Sequence, residues 1–138
     1  MSKKKKKLKT DPARSALMKR VRRSGTKPEE EVAAILRQLG IRMRRNVKGL
    51  PGTPDFANKS RKIAIFVHGC FWHGHRGCKL AKLPRTNALF WKEKLLANRR
   101  RDVQKVDMLL QAGFVVEMVW QCDLKTGRAE SRLARFAR

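Results

Sequence analysis

Ile63-Ala64-Ile65-Phe66-Val67-His68-Gly69-Cys70-Phe71-Trp72-His73-Gly74-His75 starts as a β-branched apolar run and ends in a burst of metal-binding and aromatic side chains. A run such as residues 63–67 satisfies its backbone by sheet pairing and its side chains by burial, so it reads as a buried strand and a rigid platform. The chemistry is then expected at the strand's carboxyl end. All three histidines of the chain lie in this stretch.

Working outward, Cys78 follows His75 closely, and the third cysteine, Cys122, comes after a second apolar run at 114–120. Three thiolates and one imidazole suit tetrahedral zinc. The Cys-x4-His-x2-Cys spacing of Cys70, His75 and Cys78 lets one loop wrap the ion, while Cys122 closes the shell from a neighbouring strand. Such a site is structural, with no open position. The competing reading makes Cys70 and Cys122 ordinary buried thiols and Cys78 incidental. An odd cysteine count argues against a disulfide framework.

The 138 residues are expected to form one domain, with 41% apolar content to build its core. Against 11 Asp and Glu stand 35 Lys and Arg, a formal net charge of +24 that calls for a polyanionic partner. Nucleic acid fits best, although charge alone implies binding and not catalysis. The basic residues are spread through the chain and not gathered on one amphipathic helix, and no apolar stretch is long enough to span a bilayer, so a membrane partner is not expected. Lys3 to Lys7 read as a solvated arm, either a solubilising tail or a DNA contact. The expected division is an arm over 1–11 and a domain over 12–138.

Residues 13–23 read as a basic helix with Ala16, Leu17 and Val21 on its apolar side, ended by Ser24-Gly25. A second helix begins at Thr26, where Thr26 and Glu29 have capping-box spacing and Pro28 is tolerated in the first turn. Val32, Ile35, Leu36 and Leu39 give it one apolar face before Gly40. Residues 41–46 alternate apolar and basic side chains, as an edge strand would. The loop 47–54, with Gly49, Pro51, Gly52 and Pro54, delivers Asp55 into a short strand, and Asn58-Lys59-Ser60 turns into a strand over 62–68. A helix is predicted over 87–112, with a polar middle at 98–102 that invites a kink and Gly113 as its cap. A strand over 114–120 and a short helix over 128–136 complete an α/β domain.

Asp55, at the start of one strand, and Val67-His68, at the end of its hairpin partner, are placed to lie side by side. A carboxylate plus a main-chain carbonyl is a hard-oxygen pair suited to Mg2+. With His75 given to zinc, His68 and His73 remain to deprotonate water or to hydrogen-bond a phosphoryl oxygen. Asp55, His68, His73 and Mg2+ therefore read as a phosphodiesterase site. The plainer alternative is a turn aspartate and structural histidines.

Pro51-Gly52-Thr53-Pro54-Asp55, then Phe66-Val67-His68-Gly69-Cys70-Phe71-Trp72-His73, then Phe90-Trp91-Lys92-Glu93-Lys94 and Val119-Trp120-Gln121-Cys122 resemble, in order, motifs of the very short patch repair (Vsr) DNA mismatch endonucleases. The likeness runs from about Ala13 to Cys122. It implies a restriction-endonuclease-like fold of the PD-(D/E)XK type, a mixed sheet flanked by helices. It also implies a monomer of the bacterial cytoplasm that nicks one strand of double-stranded DNA beside a T:G mismatch, with Mg2+.

By the same resemblance, Asp55 and the Val67 carbonyl hold Mg2+, and His68 and His73 assist phosphoryl transfer, with His73 activating water. Glu29 supports the site, a role compatible with its cap. The structural zinc ligands fall on Cys70, His75, Cys78 and Cys122, in agreement with the spacing. Phe71, Trp72 and Trp91 match aromatic residues that intercalate beside the mismatch, and Met18 matches a methionine that enters from the other groove. Read without the family, those aromatics pack a core and Met18 fills a gap. Gln121 departs from the glutamate usual in the family. Two other readings stand beside the leading one: a related nickase of different specificity, restriction-linked for example, and a zinc-stabilised DNA-binding protein without activity.

Overall fold

Four strands, β1 (Arg44–Arg45), β2 (Phe56–Asn58), β3 (Ile63–His68) and β4 (Val115–Trp120), make one sheet in the order β1-β2-β3-β4. The computed structural model describes residues 26–71, 73, 75 and 77–137. The arm, the helix predicted over 13–23 with its Met18, and Trp72 lie outside the described residues. The first three strands form an antiparallel meander, whereas β4 runs parallel to β3 from Ile63↔Val115 to His68↔Trp120. A parallel neighbour needs a crossover connection. The long helix Ala88–Gln111 is that crossover.

Before the sheet comes α1 (Lys27–Gln38); between β3 and β4 lies α2 (Ala88–Gln111); after β4 come α3 (Gln121–Thr126) and α4 (Arg128–Ala134). The period-2 alternation of β3 sorts them into layers. Ile63 and Ile65 pack with Val32 and Leu36 of α1 and Leu133 of α4. Ala64 and Phe66 face Leu109 of α2 and Phe114 on the other side. Ile65, Leu109, Leu133 and Val32 are wholly buried, each side chain contributing about 1.5–3 kcal/mol of transfer free energy. His68 continues the Ala64–Phe66 face, and so meets α2.

Three expectations change. The strand predicted over 41–46 contracts to Arg44–Arg45, because Ile41 is used to end α1. Gly40 adopts φ +70°, its N–H donates to the Arg37 carbonyl, and the Ile41 N–H donates to Leu36 O at 2.9 Å, which is the Schellman arrangement. Ile41 is thereby buried under the helix end. Secondly, α2 is continuous through 98–102, since Asp102 turns inward to a partner and the arginines turn out. Thirdly, α3 was not foreseen, and the last helix stops at Ala134.

Candidate active site and metal cluster

Strand β2 begins at Phe56, paired with Ile65, so β3 beyond Ile65 has a free edge. Asp55 occupies that edge. Its Oδ2 accepts the Val67 N–H at 2.7 Å. Because the N–H and C=O of one strand residue project to the same side, the Val67 carbonyl faces the same space. Glu29 lies close by and is buried. Its backbone N–H donates to Thr26 Oγ1 at 3.4 Å, capping α1, while its carboxylate lies 3.9 Å from Arg45. Burial, with the neighbouring Glu29 carboxyl, pushes Asp55 up to about 6 despite the Val67 hydrogen bond. Two crowded, partly desolvated carboxyls beside a main-chain carbonyl, with Arg45 no closer than 3.9 Å to the Glu29 carboxylate, make a hard-oxygen set that fits a divalent cation.

On the α2 side, the rings of His68 and His73 stack with centroids 3.8 Å apart and planes 2° from parallel. His68 is buried, and burial together with the charge of His73 lowers it to about 3, so it is neutral. Its Nδ1 has no hydrogen-bond partner among the described residues. His73 Nδ1 lies 2.6 Å from Asp102 Oδ2. Burial raises the Asp102 carboxyl, but the His73 hydrogen bond, helped by the positive charge of nearby Lys105, outweighs it and leaves the group below its ordinary value. With Nδ1 so engaged, Nε2 is the ring nitrogen left for proton transfer. Glu29, Asp55, Val67, His68, His73 and Asp102 line one cleft of about 530 Å³. Gln121, the first residue of α3, also lines it.

Asp102 was missed by the reading of the sequence, although a signal existed. Trp91, Leu95, Asp102 and Leu109 are the buried positions of α2, the last three at seven-residue intervals. A carboxylate on that inward stripe demands a partner.

Past His68 the chain turns through the cysteine loop. The donor atoms of Cys70, His75, Cys78 and Cys122 all lie within 4.8 Å of one another. His75 Nδ1 is 3.5 Å from Cys122 Sγ, and the Cys122 N–H donates to Cys70 Sγ at 3.4 Å. The His75 ring stacks on Trp120, centroids 4.0 Å apart, and the His75 backbone N–H donates to the Cys70 carbonyl at 2.9 Å. Cys122 stands in the first turn of α3, just past β4, and not on a strand as expected. Burial pushes the Cys70 thiol up to about 12 and raises Cys122 as well. Three sulfurs and an imidazole converging in this way can hold a soft or borderline metal ion, whose charge would offset that penalty.

Of the aromatic candidates, Trp91 is 2% exposed and packs against Phe71 and Phe90, centroids 5.6 and 5.4 Å away. In this conformation it is core. Phe90, not singled out from sequence, is 38% exposed, and Phe71 is partly so.

Residues 7–79 match the family model described as DNA mismatch endonuclease Vsr. A type II nicking enzyme of Xanthomonas oryzae pv. oryzae is 46% identical over 121 residues, covering 87% of this chain and 88% of that protein. A second type II nicking enzyme, from Neisseria meningitidis, is 38% identical, covering 94% of this chain and 92% of its own length. The DNA mismatch endonuclease Vsr of Escherichia coli is 38% identical over 112 residues, 81% of this chain and 71% of that protein. The chain belongs to the Vsr family of DNA mismatch endonucleases.

Proposed function

We propose that this chain is a strand-nicking DNA endonuclease directed to T:G mismatches, with Mg2+ at Asp55 and zinc in the Cys/His cluster. The observation that carries the reading is the single cleft in which the Asp55–Val67 pair faces the stacked His68 and His73. Asp55 and the Val67 carbonyl would hold Mg2+, with Glu29 adding negative charge behind them. The ion supplies Lewis-acid polarisation of a phosphoryl oxygen. His73 takes the proton of the attacking water at Nε2 while Asp102 fixes its tautomer through Nδ1. Neutral His68 donates a ring N–H to the phosphate without competing for protons. Cys70, His75, Cys78 and Cys122 pin the loop that presents Phe71 and Trp72. Those two, with Trp91 once its packing opens and Met18 from the amino-terminal segment, act as the wedge at the mismatch.

The fold proposed is restriction-endonuclease-like, and the mixed sheet with helices on both faces supports it. No helix among the described residues is long and apolar enough to cross a membrane. A bacterial cytoplasmic monomer is the proposed working form. Two of the relatives are named as nicking enzymes and one as a mismatch endonuclease, so a related nickase of other specificity is the second reading.

A panel of end-labelled duplexes decides. The expected result is one nick beside T:G with Mg2+ and none in EDTA. Equal nicking of matched duplexes would favour the second reading, and no nicking with any divalent ion would leave a DNA-binding protein only.

A further inference from the structure

Lys105 is the one Lys or Arg among the described residues that line the cleft, in a chain that carries 35 of them. It lies about one turn beyond Asp102 on α2, and its charge acts on both His68 and Asp102. The base of its side chain is held by the loop that delivers Asp55. A methyl group added to Gly52 would stand 2.6 Å from both Cβ and Cγ of Lys105 and 2.9 Å from its Cδ. Gly52 also adopts φ +74°, so glycine is demanded there both by the backbone and by the lysine. Among the described residues no group hydrogen-bonds or ion-pairs with the ammonium. A long flexible cation has thus been given a fixed stem and an uncommitted head, at the edge of a site otherwise made of carboxylates and neutral or proton-accepting imidazoles.

We propose that Lys105 is a catalytic residue whose ammonium binds a non-bridging oxygen of the phosphate being cut. The inference rests on the nicking reading above. In that reaction the water oxygen bonds to phosphorus as the P–O bond to the leaving sugar oxygen breaks. The water proton passes to His73 Nε2, and the leaving oxygen takes a proton from solvent. Negative charge gathers on the non-bridging oxygens throughout, where a fixed cation helps more than it does in the ground state. The many other Lys and Arg suffice for affinity, so Lys105 should matter for rate.

The test compares wild type with Lys105→Met, which keeps the stem against Gly52 and deletes the charge, and with Lys105→Arg, which restores a charge. Single-turnover nicking of a T:G duplex is measured with Mg2+ at saturating enzyme, and Kd by titration in Ca2+. Lys105→Met should lower the bound-complex rate about 10²-fold, with Kd changed by only a few-fold. Lys105→Arg should stay within about tenfold of wild type. A Lys105→Met variant that nicks at the wild-type rate once bound would overturn the proposal, as would a Lys105→Arg variant as slow as Lys105→Met. If the wild type nicks nothing, the nicking reading itself falls; if only the Lys105 variants misbehave as just stated, that reading survives.

Discussion

The two ends of the turn after β3 invite comparison, because both bury ionisable groups and they do so to different degrees. On one side a carboxyl is held at about 6, and on the other a thiol at about 12. At neutral pH Asp55 is therefore mostly ionised before any cation arrives, whereas Cys70 is almost wholly protonated. An ion entering the carboxylate side meets charge already present and can leave as readily. An ion entering the sulfur side must expel protons, and is then bound by thiolates it cannot easily surrender. On the proposed assignment, one side would hold a reagent and the other a fixture.

Breaking the fixture should have the largest effect. Cys122→Ser removes a donor that packs on Cys70 and His75, and is expected to lose stoichiometric zinc by elemental analysis and to melt far below wild type by circular dichroism. A variant that retains one zinc and an unchanged melting temperature would erase the distinction between the two sides. Breaking the reagent side should leave the fold alone. Asp55→Ala is expected to cut nicking about 10³-fold, corresponding to about 4 kcal/mol of lost transition-state stabilisation, with zinc content unchanged and DNA affinity equal or higher. His73→Ala should cost about 10²–10⁴-fold in turnover, and Asp102→Asn a smaller factor in the same direction. Wild-type rates in either Asp55→Ala or His73→Ala would remove that residue from the chemistry.

Between the sides runs the loop that carries Phe71 and Trp72. If the sulfur cluster positions a wedge, Trp72→Ala should lower preference for T:G over matched duplex by about 1–3 kcal/mol, while salt-sensitive binding persists. Full discrimination by a folded, zinc-loaded Trp72→Ala would take Trp72 out of the reading device.

The smallest effect is in stability. A carboxyl raised on folding gives stability that is fully present below its unfolded value near 3.8 and is lost as pH rises through about 6. Without Mg2+, Asp55→Asn should therefore be more stable than wild type by roughly 1–3 kcal/mol at pH 7–8, and no more stable near pH 3.5. Added Mg2+ should raise the melting temperature of the wild type and not of the variant. Denaturant unfolding at the two pH values checks this, and an advantage that persists at low pH would mean burial does not set the Asp55 carboxyl.

What could be read in advance followed sequence distance. The Asp55–Val67 pairing, the α1 cap and the Cys-x4-His-x2-Cys loop are short-range arrangements, dictated by turn chemistry, capping residues and spacing. The partner of His73 is 29 residues away on a helix whose rotation about its axis depends on packing. Asp102 sat inside a polar run that looked like a break, and only its place on the buried stripe distinguishes it. Lys105 was hidden in the same way, since one lysine among many carries no signal until Gly52 is seen against it. Residues 41–46 were misjudged because Ile41 served the Schellman cap, a demand that outweighed its alternating pattern. Helix α3 was too short to show a period.

The parallel pairing of β3 with β4 also says something about time. His68 and Trp120 are neighbours in space yet are separated by a long stretch of chain, including all of α2. Closing that distance costs chain entropy that no local contact repays, which places it late among folding events. Cys70 and Cys122 meet only when it is done. If the cluster takes zinc as proposed, a dye that competes for the ion should lose it during refolding on the same slow phase in which the sheet completes, and metal capture would then time the finished domain.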